Sequence, residues 1–250
     1  MRVSKKEWDS YISKLSKVNK KASDLIVAYI NEHGLDDVQD LVSYANKVVM
    51  KYGSASASLN ALMYDTITEL EGMFLPAAEL AALPEYGDIA KSIYGTLKTS
   101  QNSEEIGGAV GRLVKQTGQD TMLKNAIRDH AEYAWIPVGE TCAFCLTLAA
   151  NGWQPISASA LKGGHAEHIH ANCDCSYMIR HSKDLEVSGY QPEKYQRMYY
   201  DAEGRSAKAK INSMRREFYA ENKEEINEQK RSAYEKREEL NSSAAEETEA

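Results

Sequence analysis

The stretch Ser4–Gly34, SKKEWDSYISKLSKVNKKASDLIVAYINEHG, carries the pattern on which the fold depends. Apolar side chains recur in it at steps of three and four residues, which places them on one face of a helix. Ser4 has the hydroxyl of an N-cap, and Gly34 is a residue type that commonly ends helices. The apolar stripe consists of Trp8, Tyr11, Ile12, Leu15, Val18, Ala22, Leu25, Ile26, Tyr29 and Ile30. We therefore predict one long amphipathic helix.

The same helical spacing continues up to Pro137, and no alternation of polar and apolar residues indicates a strand before it. Glycines and prolines divide this part of the chain into further helices. The predicted elements are a helix from Val38 that stops at Gly53, one that SASAS (residues 54–58) opens and that runs through Leu59 to Met73 until Pro76 and Pro84 break it, one through Ile89 to Leu97, and one from a Ser103 cap, with an interruption near Gly118, to Trp135. The predicted fold class is mainly α, with a helical domain over residues 1–135.

Composition and charge exclude several classes of protein. The 250 residues are 42% hydrophobic and 27% charged, enough for one large core or two small ones. A net charge of -7 argues against a surface that binds nucleic acid throughout, although it permits a local basic patch. The sequence has neither a long apolar run nor a signal peptide, so we expect no membrane contact and a reducing compartment.

All four cysteines fall in a short segment rich in Gly, Asn, Ser and His. Cys142 and Cys145 form a Cys-x-x-Cys, and Cys173 and Cys175 form a Cys-x-Cys, so each pair can present two sulfurs to one ion. Zn²⁺ takes four sulfur or nitrogen ligands tetrahedrally, and a segment this short buries too little apolar surface to fold alone. We predict a small, β-containing module stapled by zinc over residues 136–185.

The choice of ligands stays open because His165, His168 and His170 stand beside the second pair. Seven donors compete for about four positions. Four thiolates are favoured by the pairing, and His170 in place of Cys173 or Cys175 is the nearest alternative. An unused histidine would hold a thiolate by a hydrogen bond. A redox dithiol and buried cysteines without a metal are the other interpretations.

A catalytic interpretation of the same segment is a His-Asn-His nuclease, because GGHAEHIHANC, residues 163–173, is similar to the histidine-rich turn of those enzymes. One histidine would activate water, another would bind Mg²⁺, and Asn172 would orient the base. That site needs a following helix with a further ligand, whereas SYMIRH, Ser176–His181, has the pattern of a strand. We therefore predict that the protein is not an enzyme.

Residues 186–221 form a predicted helical segment that is rich in tyrosine and then basic. Tyr190, Tyr195, Tyr199 and Tyr200 suit either a partly hydrated interface or half-buried packing. Their phenol rings combine an apolar body with a polar tip.

The basic part is RSAKAKINSMRR, which contains no acid. Arg205, Lys208, Arg215 and Arg216 fall near one helical face, as a phosphate-contacting stripe or as a solvated surface. Residues 222–250 alternate in charge and have few apolar side chains, so we predict a charged helix that frays into a disordered acidic tail.

The region RLVKQTGQDTMLKNAIRDHAEYAWIPVGETCAFCLTLAANGW, Arg112–Trp153, with HIHANCDC after it, resembles the minor head (head morphogenesis, Mu F-like) proteins of tailed bacteriophages and prophages. In that family a helix with Thr and Asn positions leads to a Trp, a Cys-x-x-Cys and a closing His-Pro-Asn-Cys-x-Cys. Ala171 replaces the usual Pro. The matching positions are Thr117 or Thr121, Asn125, Trp135, Cys142, Cys145, His170, Asn172, Cys173 and Cys175.

The resemblance implies a minor capsid protein of the virion, assembled in the bacterial cytoplasm and present in few copies near the portal. Its implied partners are portal and capsid proteins and packaged double-stranded DNA. An adaptor that uses zinc as a staple and binds DNA without any capsid partner is the remaining alternative.

Overall fold

The computed structural model of the chain describes residues 1–137, 143–156 and 176–221, together with five positions between 223 and 231. The described residues are mainly helical, as the sequence predicts. They fall into two compact units. The first lies within Met1–Thr141 and Asn151–Pro192, and the second lies within Cys142–Ala150 and Glu193–Ala250.

The described residues of the first unit contain four helices, of which the first confirms the opening prediction. Ser4 caps it by accepting from the Glu7 N–H at 3.2 Å, while the Glu7 carboxylate accepts from the Ser4 N–H at 3.0 Å. Gly34 ends it with a φ of 74°, a conformation that favours glycine. The helices are α1 (Lys5–His33), α2 (Val38–Leu70), α3 (Tyr86–Leu97) and α4 (Ser103–Arg128).

Helix α2 is continuous, so the predicted stop at Gly53 is wrong. Gly53 lies buried inside the helix, where a Cβ atom would stand 3.0 Å from Leu83 Cδ2 and 3.5 Å from Thr117 Oγ1. This glycine allows close packing instead of ending the helix. The predicted end near Met73 is three residues late, because the helix ends at Leu70.

Helix α4 differs from its prediction at both ends and in the middle. Its N-cap is Asn102, which accepts from the Glu104 N–H at 2.8 Å, and not Ser103. Gly118 does not interrupt it. The helix ends at Arg128, so the predicted continuation to Trp135 is wrong.

In the part of the first unit that the structure describes, five short strands form two sheets. In the three-stranded sheet β2 (Glu132–Ile136) lies between β3 (Gln154–Pro155) and β4 (Ser176–Arg180), antiparallel to both. In the other sheet β1 (Arg2–Val3) pairs in parallel with β5 (Glu186–Val187). The strand predicted from SYMIRH is confirmed as β4, whereas β2 contradicts the expectation of no strand before Pro137.

Two clusters of buried apolar side chains form the core of this unit. One joins the N-terminal half of α1, the C-terminal half of α2 and the sheets, around the fully buried Tyr64 and Met178. The other joins the C-terminal half of α1 to α2, α3 and α4, around Ile26, Ile93 and Ile106. Helices α1, α2 and α4 therefore form the body on which the sheet rests.

Three helices lie among the described residues of the second unit: α5 (Ala143–Ala149), α6 (Pro192–Asp201, whose first residue belongs to the first unit) and α7 (Ala207–Glu221). The predicted tyrosine-bearing and basic helices are thus confirmed as α6 and α7, although Tyr190 and Arg205 lie outside them. No helix in the described part of the chain is long and apolar enough to cross a membrane.

Candidate functional site

Cys145 is the predicted metal ligand that the structure places. It lies on α5 with 2% of its surface exposed. The other predicted ligands, Cys142, His170, Cys173 and Cys175, lie outside the described residues. The same holds for His165, His168 and Asn172. Within the described ranges, no three His, Cys, Asp or Glu residues lie close enough together to hold a metal ion.

The helix that carries Cys145 is fixed by apolar packing against α7. Ala143 of α5 and Met214 of α7 are buried together with Ala202, which follows α6, and Leu146 packs on them. Residues 143–145 thus form the first turn of a helix.

The predicted basic stripe lies on the second unit with all four cations exposed to solvent. Lys208 and Arg215 stand seven residues apart on one face of α7, Arg216 follows, and Arg205 precedes the helix. None of the four forms an ion pair with a described carboxylate. Lys210, by contrast, donates to the carbonyl oxygens of Tyr199, Tyr200 and Ala202 at 3.1, 2.8 and 2.9 Å, and so caps the end of α6.

Thr121 and Asn125, two residues picked out by the resemblance, hold an extended segment that we call the strap, residues 76–81. Asn125 is 1% exposed. Its amide accepts from the Glu79 N–H at 2.8 Å and donates to the Glu79 carbonyl oxygen at 2.8 Å. Thr121 Oγ1 accepts from the Ala81 N–H at 3.0 Å. The two side chains therefore pair with the strap as a neighbouring strand would.

Charged side chains bind further groups of the strap. The Asp65 carboxylate accepts from the Ala78 N–H at 2.8 Å. Arg128 donates to the carbonyl oxygens of Pro76 and Ala77 at 2.9 and 3.2 Å. Lys124 pairs with the Glu79 carboxylate at 2.9 Å. These contacts, which the sequence analysis missed, explain how a segment without regular secondary structure is kept in place.

Thr117 and Trp135, the other positions of the resemblance, are also buried, at 1% and 4% exposure. Thr117 donates to the Leu113 carbonyl oxygen within its own helix at 3.0 Å. The Trp135 ring lies edge to face with Tyr177 on the neighbouring strand at 4.6 Å. Both side chains therefore serve the fold.

Tyr64 and Arg128 both bind the Asp129 carboxylate and so fix the C-terminal end of α4. Tyr64 donates to the Asp129 carboxylate at 2.6 Å, and Arg128 pairs with the same carboxylate at 2.6 Å. The Arg128 hydrogen bond holds the pKa of Asp129 below its ordinary value, and burial raises the pKa of Tyr64. Asp129 is therefore ionised and Tyr64 neutral near pH 7, which suits a structural contact.

Glu71 at the C-terminal end of α2 clamps the turn after β4. Its carboxylate, on a residue only 9% exposed, accepts from the backbone N–H groups of His181 and Ser182 at 2.8 Å each. His181 stands edge to face with Tyr64 at 5.8 Å, and burial lowers its pKa. No sequence pattern pointed to this clamp, because its parts lie more than a hundred residues apart.

A small polar cavity lies between α1, α2 and α4, near β4. Its lining includes Ser56, Asn60, Gln119 and Ser176. The Ser56 hydroxyl and both polar atoms of the Gln119 amide are buried there without a hydrogen-bond partner. Buried polar groups of this kind are commonly satisfied by internal water.

The fold and contacts define a helical protein with a small antiparallel sheet, in which Thr121 and Asn125 of α4 form hydrogen bonds with the strap. A family model described as VG15 protein matches residues 2–202 of the chain. The chain therefore belongs to the VG15 family, which is a family of viral (phage) proteins. No curated protein and no solved structure matches the chain.

The match covers the four helices and both sheets of the first unit and ends before α7 begins. Thr121, Asn125 and the strap lie inside it, as does the whole cysteine segment. All four cations of the basic stripe lie beyond its end.

Proposed function

We propose that this phage protein is a minor capsid (head morphogenesis) protein that acts by binding and assembly, without catalytic turnover. The observation that carries the proposal is that the Thr121 and Asn125 side chains form their hydrogen bonds with the strap. Side chains that are buried and bonded to their own chain cannot meet a substrate. These two positions of the resemblance are thus used to build the protein, as expected of a component of an assembly.

The test of this role is the composition of particles. In the phage or prophage that encodes the chain, we expect purified heads or procapsids to contain the protein in few copies, measured by quantitative mass spectrometry against the major shell protein. Deleting the gene should leave shells that are misassembled or empty of DNA. Absence of the protein from both heads and procapsids, with normal heads after deletion, would exclude the role.

We further propose that the cysteine segment binds one structural Zn²⁺. The donor set fits, since Cys142, Cys145, Cys173 and Cys175 supply four thiolates, and His170 can replace one of the last two. Cys145 is shielded from solvent, as ligands of closed structural sites are. Bound zinc would supply cross-links between segments that are distant in sequence, and the thiolates would hold it.

Metal content tests this site directly. We expect the purified protein to carry close to one zinc per chain, and the double variant Cys142→Ser, Cys145→Ser to lose it, because each pair supplies half of the ligands. His33→Ala, which changes an exposed histidine outside the segment, is the matched control. Full retention of zinc in the double variant would show that the site is assigned wrongly.

We also propose that the basic stripe contacts packaged double-stranded DNA through phosphates. Its four cations are exposed and have no ion pair with described residues, so they are available for phosphate. Binding should be independent of sequence and weaken steeply with salt, and Arg215→Gln with Arg216→Gln should lower the salt slope by about 2. Lys47→Gln with Lys98→Gln, at exposed positions elsewhere, removes the same charge as a control.

The same assay separates the assembly role from the nuclease alternative. With Mg²⁺ or Mn²⁺ present, the DNA recovered from the titration should be intact on a gel. Metal-dependent cutting that His168→Ala abolishes would replace the proposed role with the nuclease. Binding that ignores salt would remove the stripe from any contact with DNA and favour protein partners.

A further inference from the structure

An open apolar groove of about 610 Å³ lies between the N-terminal half of α1 and the C-terminal half of α2. Its floor is a stripe of α2 at helical spacing. Two of these side chains are strongly exposed, Leu62 at 63% and Leu70 at 42%. The stripe consists of Leu59, Leu62, Met63, Ile67 and Leu70.

The rim of the groove on the α1 side is basic. Lys6 and Lys14 are exposed along it, and neither forms an ion pair with a described carboxylate. Glu7, the acid that lines the groove, is occupied, since its carboxylate accepts from the N–H and hydroxyl of Ser4. Arg2 pairs with Glu186 at 2.7 Å. With Arg2 paired to Glu186, Lys6 and Lys14 outnumber the Glu7 carboxylate, so the lining of the groove is net positive.

This rim is a local exception in an acidic protein. The first 21 residues contain seven Lys or Arg and two Asp or Glu, whereas the whole chain has a net charge of -7. Three of these cations, Arg2, Lys6 and Lys14, line the groove, which favours a negatively charged partner there.

We propose that the groove binds an amphipathic helix of a partner protein whose apolar stripe is flanked by acidic residues. Leu59 and Leu70 are eleven residues apart, about 16 Å along the helix, which matches three turns of a bound helix. Anchors at i, i+3, i+4 and i+7 would lie on the leucines, and the flanking carboxylates would meet Lys6 and Lys14. This inference rests on the groove alone and goes beyond the assembly role.

The chemistry of the groove disfavours a nucleic acid as its occupant. Single-stranded nucleic acid needs aromatic side chains on which bases stack, and the aromatic residue of the lining, Tyr11, is buried and donates to Asn60 at 2.7 Å. Duplex phosphates would lie against leucine and methionine side chains, which offer them no hydrogen bonds.

The test uses the full chain and a fluorescent synthetic helix of about 14 residues with leucines at i, i+3, i+4 and i+7 and glutamates on both flanks. A second peptide replaces each glutamate with lysine. By fluorescence anisotropy we expect the acidic peptide to bind at least about tenfold more tightly than the basic one, with an affinity that falls as salt rises.

Groove variants locate the binding. Leu62→Ser with Leu70→Ser should weaken the acidic peptide by about tenfold or more, because both lose apolar contact area. Lys6→Gln with Lys14→Gln should weaken it by about threefold to tenfold and reduce the salt dependence. The controls Leu80→Ser, an exposed leucine outside the groove, and Lys47→Gln with Lys98→Gln should bind as wild type. Circular dichroism verifies that each variant is folded.

Three results would overturn the proposal. One is absence of binding by the acidic peptide at millimolar concentration, and another is equal binding of both peptides. The third is self-association: if sedimentation velocity finds a dimer that Leu62→Ser with Leu70→Ser converts to monomer, the groove is an interface between two copies of this chain.

Discussion

Replacing Asn125 with alanine removes the amide that joins α4 to the strap. The side chain is 1% exposed and forms three hydrogen bonds, two with Glu79 at 2.8 Å and one with the Thr121 carbonyl oxygen at 2.7 Å. We expect the variant to fold, because the apolar contacts of α4 are untouched. It should be less stable, with the strap loosened around Glu79.

The size of the effect follows from the hydrogen bonds. Each of the two bonds to the Glu79 backbone contributes about 1–1.5 kcal/mol net. The bond to Thr121 adds little, because that oxygen also accepts a bond within the helix. Alanine recovers about 0.5 kcal/mol through its higher helix propensity. The free energy of unfolding should therefore fall by about 2 kcal/mol, which lowers the melting temperature of a protein of this size by roughly 4–8 °C.

The measurement combines thermal unfolding, followed by circular dichroism, with hydrogen exchange of the Glu79 amide. Asn31→Ala, at an exposed position near the end of α1, is the control and should leave both unchanged. If Asn125→Ala melts within about 1 °C of wild type and the Glu79 amide exchanges at the same rate, the amide does not hold the strap.

Two further predictions concern packing and pH. Gly118→Ala should destabilise the protein by about 1–2 kcal/mol in urea unfolding, because its Cβ would lie 2.4 Å from Ser56 Oγ. Gly95→Ala lies on the exposed face of α3 with no atom within 4 Å of its Cβ, so it should stabilise the protein by about 0.5–1 kcal/mol. Changes in stability of the same sign for both variants would contradict the packing around Gly118. Burial lowers the pKa of His181 below its value of 6.5 in the unfolded chain, so as the pH drops below about 6.5 the unfolded state binds the proton first and the melting temperature should fall. His181→Phe should lack that part of the fall. A His181→Phe variant whose melting temperature follows the wild-type pH profile would refute the assignment to His181.

The helices of the first unit could be predicted because their apolar stripes and caps are local signals. Ser4 caps the start of α1 and Gly34 ends it, as these two residue types indicate. The signal fails at Gly53 and Gly118, since a glycine within a helical pattern marks either a break or a close approach. Only the neighbouring helix, distant in sequence, decides between these two.

The strand β2 was missed for a related reason. The residues from Ala131 to Trp135 continue the apolar spacing of α4, and a sequence of five residues fits both periods. Its pairing with β4, Trp135 opposite Tyr177, makes it a strand. Tertiary contact here overrides local propensity.

The candidate site was predictable in part. The resemblance indicates Thr117 or Thr121, together with Asn125, but the bonds of Thr121 and Asn125 go to the strap, forty or more residues earlier in the chain. The prolines at 76 and 84 indicated an interruption, and nothing in the local sequence indicated that the interruption would be held by a helix. The zinc site stays a prediction, since Cys145 is its one member among the described residues.

Helix α4 shows how buried polar side chains can serve the packing of this protein. Small residues bring it close to its neighbours: a Cβ at Gly111 would lie 2.2 Å from Ser23 Oγ of α1, and one at Gly118 would lie 2.3 Å from Asn60 Nδ2 of α2. Its Thr121 and Asn125 side chains bind the strap. A helix that is enclosed on several sides needs glycine where backbones approach and hydrogen-bonding side chains where an irregular segment crosses it. Contacts with other molecules are therefore to be sought away from α4, at the cysteine segment, the basic stripe and the groove beside Leu62.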